Sequence, residues 1–253
     1  MPPPKVAFLM ANYGHDPTET AVPYAEFKKA GFEIDFVTEK GNMPECDRKM
    51  LEGMTQKLLG ATQEAVDLYK SMKEDMKNMK ALSWTEEGFT LAPYDLVFLP
   101  GGHEKGVVQV INSPVTHRLM VDYFPQTRKP SRKNVAAICH GVMVLSESSL
   151  PDGKSVLHDA TTTALPGFME QSIFWGTRLF LGDYYKTYGP NSESVQASVE
   201  KRLDDPKAQY FNSLSSSPFV REDEKYNYIS GRFPPDAKLL AERTIALVNK
   251  TLA

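Results

Sequence analysis

Four consecutive apolar residues, Val135-Ala136-Ala137-Ile138, run straight into Cys139-His140-Gly141, and a second apolar run, Val142-Met143-Val144-Leu145, follows without a break. The first run predicts a strand buried on both faces, as in a parallel sheet, and the second predicts the start of a helix. A chain that passes from buried strand to helix within three residues commits to a sheet covered by helices. The same turn sets Cys139 at the carboxyl edge of that sheet, where its sulfur is expected to be exposed and the helix N-terminus to favour the thiolate. Nucleophile elbows are built this way, more familiarly with serine. A buried structural cysteine is also a common use of the residue, and this segment alone leaves both readings open.

The strand-then-helix rhythm recurs along the chain. Val6-Ala7-Phe8-Leu9-Met10 reads as a first central strand, and Asn12 to Pro17 as a loop. A helix capped by Thr18, with Glu19 in its first turn, is predicted to run to about Lys29 and to stop at Gly31. Glu33 to Val37 reads as the second strand, Tyr94 to Leu99 as the third, and Pro114 to Tyr123 as a helix. Leu165 to Leu181 and Ser192 to Leu203 also read as helices, residues 204–220 as a surface loop, Tyr226 to Ser230 as a late strand, and Asp236 to Val248 as a closing helix. Between residues 44 and 90 the rhythm is interrupted. Methionines and leucines from Met50 to Met79 recur there at helical spacing, which predicts one or two amphipathic helices, with the methionine stripe as core packing in preference to a partner groove. The expectation is one α/β domain over residues 1–253, a doubly wound and mainly parallel sheet with helices on both faces and a helical insertion at 44–90.

Length and charge narrow the function classes. The 253 residues carry a net charge of −3, which offers no nucleic-acid surface and no basic membrane-binding face. No apolar run approaches the ~20 residues of a membrane span, and Met1 to Lys5 lacks the layout of a signal peptide. With only Cys46 and Cys139, a reducing compartment is expected, the cytoplasm by default. The five histidines lack metal-ligand spacing, and neither a Walker loop nor a post-strand G-x-G-x-x-G is present, so no metal and no nucleotide are expected.

Three strand ends carry the chemistry: the loop leading to Glu19, the turn Pro100-Gly101-Gly102-His103, and Cys139-His140. In an open α/β sheet, ligands bind outside the carboxyl ends of the strands. If these three strands are neighbours, Gly101 and Gly102 bring backbone N–H groups to a reacting atom. Glu19 is either a dipole-favoured carboxylate or a buried carboxyl with a raised pKa that faces the sulfur. His140, adjacent to the cysteine on a turn, is expected to point away from the thiol and to orient substrate or tune the thiolate. His103 is placed at the pocket wall. The pocket's shape is expected from the insertion, Thr161-Thr162-Thr163, and the stretch from Trp175 to Tyr188, in which packing is the commoner role for Tyr184, Tyr185 and Tyr188.

Together, Asp16-Pro17-Thr18-Glu19, Leu99-Pro100-Gly101-Gly102-His103 and Ala137-Ile138-Cys139-His140-Gly141 resemble the ThiJ/PfpI superfamily, in order and spacing as well as in sequence. The resemblance covers most of the chain; the insertion and residues 183–220 fit a longer branch, near the heat-shock glyoxalases. It implies a flavodoxin-like fold related to class I glutamine amidotransferase domains, a homodimer and no cofactor. It also implies a nucleophilic Cys139, a protonated Glu19 bonded to its sulfur, and backbone donors from Gly102 and His140. The activities it implies are glutathione-independent glyoxalase chemistry (methylglyoxal to lactate), isocyanide hydration, peptidase or amidase chemistry, or a stress role as redox sensor or holdase. In that branch a later carboxylate completes a Cys-His-acid triad. Here Asp159 is the candidate third member, although the aligned place, near Ala164, is not acidic.

Overall fold

The computed structural model describes residues 2–253; Met1 lies outside them. Nine strands form: β1 (Lys5–Leu9), β2 (Tyr13–His15), β3 (Glu33–Thr38), β4 (Glu45–Cys46), β5 (Leu82–Ser83), β6 (Leu96–Leu99), β7 (Asn134–Ile138), β8 (Val220–Glu222) and β9 (Tyr228–Gly231). Seven of them make one sheet in the order β5-β3-β1-β6-β7-β9-β8, and β2 pairs with β4 in a two-stranded ribbon. All pairings in the main sheet are parallel except β8 with β9. The sheet is therefore mainly parallel and flanked by helices, as the buried apolar runs require. Sequence reading missed the ribbon and the two short edge strands, β5 and β8, because two or three residues carry no periodicity to detect.

The central strands are apolar on both sides, and their alternation divides the core in two. Val6, Phe8, Leu96, Phe98, Ala136 and Ile138 face one cluster, built with the helices Pro17–Lys29, Gln63–Met76 and Ala237–Leu252. Ala7, Leu9, Val97, Leu99, Val135 and Ala137 face the other, with the helices Pro114–Tyr123 and Gly141–Ser146. Phe8 is the hub of the first cluster: its ring lies against Tyr24, Phe27, Phe36 and Phe98, with centroids 4.8–6.3 Å apart.

The helix expected from Thr18 is capped instead by Asp16, whose Oδ1 accepts the N–H groups of Thr18 and Glu19 at 2.8 and 3.1 Å. Pro17 takes the first helical position, where its missing N–H costs nothing. Glu19 remains in the first turn as expected. The insertion folds as three helices, Arg48–Leu51, Gly53–Leu59 and Gln63–Met76, rather than one or two. Its methionine stripe is core for the most part: Met50, Met72 and Met76 are buried, while Met54 faces solvent. Residues 204–220 are more ordered than a polar loop suggests. Arg232, fully buried, pairs with Asp236 and donates to the carbonyls of Ser213, Ser215 and Ser217. Among the described residues no helix is long and apolar enough to cross a membrane.

This packing makes Phe8 the most costly truncation on that face. Phe8→Ala is expected to lower unfolding stability by ~3–5 kcal/mol, read as a lower denaturant midpoint with an unchanged slope.

Candidate active site

β1, β6 and β7 are neighbours in the sheet, so the three strand ends singled out above do converge. Cys139 directly follows β7 and is the one described non-glycine residue with a left-handed backbone, φ 57°. A β-carbon in that region is held against its steric preference at ~1–3 kcal/mol. The turn is held from both sides. Cys139 N–H donates to Gly231 O of β9 at 3.1 Å, and its carbonyl accepts from Val142 N–H at 3.3 Å.

Gly101 lies directly over the cysteine. A β-carbon there would meet Glu19 Oε2, the Cys139 β-carbon at 2.6 Å and Ile138 O at 2.6 Å, so only glycine fits. The peptide after it is oriented by His15. His15 Nδ1 lies 2.9 Å from Gly101 O, Asp16 N–H donates to the same oxygen at 3.0 Å, and His15 Nε2 accepts from Ala11 N–H at 2.8 Å. Because Nε2 is an acceptor, the His15 proton sits on Nδ1 and the ring is neutral; burial lowers its pKa to about 4. With Gly101 O committed downward, the N–H of Gly102 faces the Cys139 sulfur, as does the N–H of His140. Both expected backbone donors are in place.

The sulfur is not exposed, as the turn alone suggested; Cys139 is 5 % exposed and forms part of a core cluster. The helix Gly167–Leu181 and residues of the insertion close over it. Burial pushes the thiol well above its ordinary value against the pull of the two N–H groups, so the thiolate expected from the helix N-terminus is disfavoured. Glu19 is buried as well. Desolvation first, and the Asp16 carboxylate second, raise its pKa well above the usual carboxylate range. Its carboxyl stands against the sulfur and the Gly101 N–H. Of the two readings of Glu19, the buried, protonated carboxyl is the one that matches this position. Asp16 is pushed up to about 6, burial outweighing the N–H groups it caps.

His140 does not point away from the thiol. Its Nδ1 lies 3.4 Å from Cys139 Sγ, because the left-handed turn at Cys139 swings the two side chains to one side. Its Nε2 lies 2.9 Å from Thr187 Oγ1. Thr187 has one hydroxyl hydrogen and donates it to His103 O at 2.8 Å. It can therefore only accept at His140, which puts the imidazole proton on Nε2 and leaves Nδ1 free to accept from the thiol. Burial holds this ring neutral, its pKa lowered to about 3.

Asp159 takes no part. Its carboxylate accepts from Tyr226 Oη at 2.9 Å and Lys225 Nζ at 3.3 Å, on the far side of the Thr161 segment, and no carboxylate bonds to His140. Thr187, from a stretch without a motif, occupies the place of the acid. That stretch is fixed by the neighbouring Lys186, whose buried Nζ is paired to Glu170 Oε1 at 2.8 Å, while Glu170 Oε2 accepts from Val195 N–H. His103 does line the cavity, its ring stacked on Tyr185 at 4.4 Å and edge-on to Tyr184. Tyr184 in turn hydrogen-bonds Asp47. His15, Asp16 and Thr187 were not singled out from the sequence.

Over the sulfur lies a cavity of about 190 Å³, bounded by Glu19, Gly102 and His103 on the strand side and by Met50, Leu165 and Ile173 opposite. A polar cavity of about 350 Å³ opens on the other side of His140 and Thr187. Among the described residues no three His, Cys, Asp or Glu side chains gather as metal ligands would. The arrangement can pass a thiol proton to a neutral imidazole, receive charge on two N–H groups, and give or take a proton at a neutral carboxyl.

A ThiJ/PfpI family-like sequence profile matches residues 10–213. The chain is 27% identical over 248 residues to the uncharacterized protein C14C4.04 of Schizosaccharomyces pombe, covering 98% of this chain and 85% of that one. It is 28% identical over 241 residues to the glutathione-independent glyoxalase hsp3102 of the same yeast, covering 93% and 89%. In fold it is similar to the crystal structure of glyoxalase III from Candida albicans, with a TM-score of 0.63, 18% identity and coverage of 96% and 97%.

The Thr187 contact generates a pH prediction. A carboxylate at that place would bond Nε2–H, raise the His140 pKa above its value of about 3 and stabilise an imidazolium–thiolate pair. Thr187→Asp is expected to speed Cys139 alkylation between about pH 5 and 8, where the wild-type imidazole stays neutral and the thiol protonated. Rates followed by intact mass test this; superimposable pH profiles would show that Thr187 does not set the state of His140.

Proposed function

The chain belongs to the ThiJ/PfpI-like family, and from that premise we propose that it is a cofactor-independent enzyme that uses Cys139 to convert a small α-oxoaldehyde, such as methylglyoxal, to its 2-hydroxy acid without glutathione. The observation that carries this reading is the set of groups around one buried sulfur: a neutral imidazole nitrogen at 3.4 Å, a protonated carboxyl against it, and two backbone N–H groups. The 28% identity to a glutathione-independent glyoxalase over most of both chains supports it.

The steps follow from where the protons are. As the sulfur adds to the aldehyde carbon, the S–C bond forms, the C=O π pair moves to oxygen, and the thiol proton passes to His140 Nδ1. The N–H groups of Gly102 and His140 stabilise the oxyanion, which then takes the proton from Nδ1 to give a hemithioacetal. Nδ1, neutral again, removes the proton from that carbon. The electron pair forms the carbon–carbon double bond of an enediol, and the neighbouring ketone oxygen takes the Glu19 proton. Return of the Nδ1 proton to the second carbon, and of the hydroxyl proton on the first carbon to Glu19, leaves a 2-hydroxy thioester. Water cleaves it, breaking the S–C bond and restoring the thiol. The sum is one α-oxoaldehyde plus one water, giving one hydroxy acid, with oxidation at one carbon balanced by reduction at its neighbour.

The neutral His140 argues for carbonyl over amide substrates. Attack on an unreactive amide needs a thiolate held ready at rest, and a ring with a pKa lowered to about 3 and a threonine behind it does not hold the imidazolium–thiolate pair that would supply one. Methylglyoxal loss without glutathione, followed for wild type beside Cys139→Ala and Glu19→Gln, tests the assignment. Turnover is expected in wild type, none in Cys139→Ala, and a ~10²–10⁴-fold loss in Glu19→Gln, with circular dichroism unchanged in all three. Equal turnover in Cys139→Ala would remove the thiol from the reaction.

A further inference from the structure

We propose that the electrophile taken by the Cys139 site carries an extended apolar arm, alkyl or aryl, that lies between the helices Gly53–Leu59 and Gly167–Leu181. This deepens the reading of the site as one for carbonyl addition and rests on it. A three-carbon dicarbonyl needs little beyond the groups at the sulfur. The cavity of about 190 Å³ holds roughly six waters at ~30 Å³ each, and most of its wall is chemically silent toward so small and polar a molecule.

The wall is divided by chemistry. Most polar side chains are committed: Asp16 caps the helix, Glu19 faces the sulfur, and both oxygens of Glu170 are taken by Lys186 and the Val195 N–H, while His103 Nε2 and Tyr185 Oη, on two stacked rings at one end of the wall, have no partner. No lysine or arginine lines the cavity, so nothing there recognises a carboxylate or phosphate on the substrate. The apolar part of the wall is built mainly from Met50, Leu59, Leu165, Met169, Ile173 and Phe233. It grades from buried to open: Met50 is buried, Met169 and Ile173 are half-buried, and Leu59 is 38 % exposed at the rim. The same two helices also carry exposed apolar side chains next in sequence to the lining residues, Leu58 at 70 % and Phe168 at 69 % exposure. An apolar surface that starts at a reactive sulfur and continues to solvent fits a ligand that is polar at its reacting end and apolar behind it. Methionines in such a wall accommodate arms of differing shape.

The test separates the arm from the reaction. Cys139 alkylation by iodoacetamide and its N-ethyl, N-butyl and N-hexyl homologues is followed by intact mass on the full chain, with Cys139→Ala to assign the site. Each rate is divided by the rate with free glutathione. A rise of up to about fourfold per buried methylene is expected, and Ile173→Asp or, should that variant misfold, Met169→Gln should flatten the series. A flat or falling wild-type series would overturn the proposal. Turnover of phenylglyoxal and methylglyoxal without glutathione is measured beside it, with a higher kcat/KM expected for phenylglyoxal. A rising series with turnover of neither would overturn the glyoxalase reading while leaving the apolar arm. A flat series with methylglyoxal preferred would overturn the arm and leave the glyoxalase reading.

Discussion

The left-handed turn at Cys139 is the constraint on which the site depends. The residue cannot adopt φ 57° without a penalty, and the hydrogen bonds on either side, to Gly231 O and from Val142 N–H, hold it there. The consequence is directional. A relaxed turn would send Cys139 and His140 to opposite sides; this one brings the sulfur to 3.4 Å from the imidazole and under Gly101. Gly101 must then lack a side chain, and its carbonyl must be held away so that the next N–H can face the sulfur. His15 supplies that hold from the end of β2. The turn thus places demands on β6 and β1, and those two strands are next to it in the sheet.

Burial then decides protonation. The Cys139, Glu19 and His140 side chains are buried together, where charge is costly and each group tends to its neutral form. Two carboxyls, Asp16 at the cap and Glu19 in the first turn, lie at one helix start, and their mutual repulsion adds to desolvation in raising the Glu19 pKa. A neutral acid, a neutral base and a neutral thiol form a chain in which protons can move without separating charge in the ground state. In the proposed reaction the cost of charge is deferred to the addition step, where the two N–H groups that face the sulfur would meet it.

How much of this was legible follows from where each part sits in sequence. Gly101, Gly102, Cys139 and His140 lie just past buried apolar strands, and Glu19 lies in the first turn of the helix that follows β1 and β2; strand ends and helix starts are local signals. The strand order, once read as doubly wound, makes those ends converge. Thr187 has no such signal. It lies in a stretch whose place is fixed by the Lys186–Glu170 pair, a contact between segments 16 residues apart that periodicity does not show. The acid was sought in Asp159 because a carboxylate is the residue type a triad needs, whereas any side chain that accepts one hydrogen bond can hold an imidazole tautomer. His15 was hidden for a similar reason: both its ring nitrogens bond backbone, and backbone partners leave no trace in side-chain spacing. The cap of the first helix went to Asp16 instead of Thr18 because Pro17 fits the first helical position and forces the start two residues earlier.

The threonine behind His140 has a consequence for reaction class. A carboxylate there would favour the imidazolium, and with it a thiolate at rest, which suits attack on unreactive amides. Thr187 fixes the same tautomer without adding charge, so His140 stays neutral and Cys139 stays a thiol. Such a pair depends on the electrophile to draw the proton off sulfur as the bond forms. Aldehydes and α-oxoaldehydes are reactive enough to do so; amides are not. A thiol is also less prone to oxidation than a thiolate, so the burial that raises the Cys139 pKa disfavours oxidation of the sulfur as well.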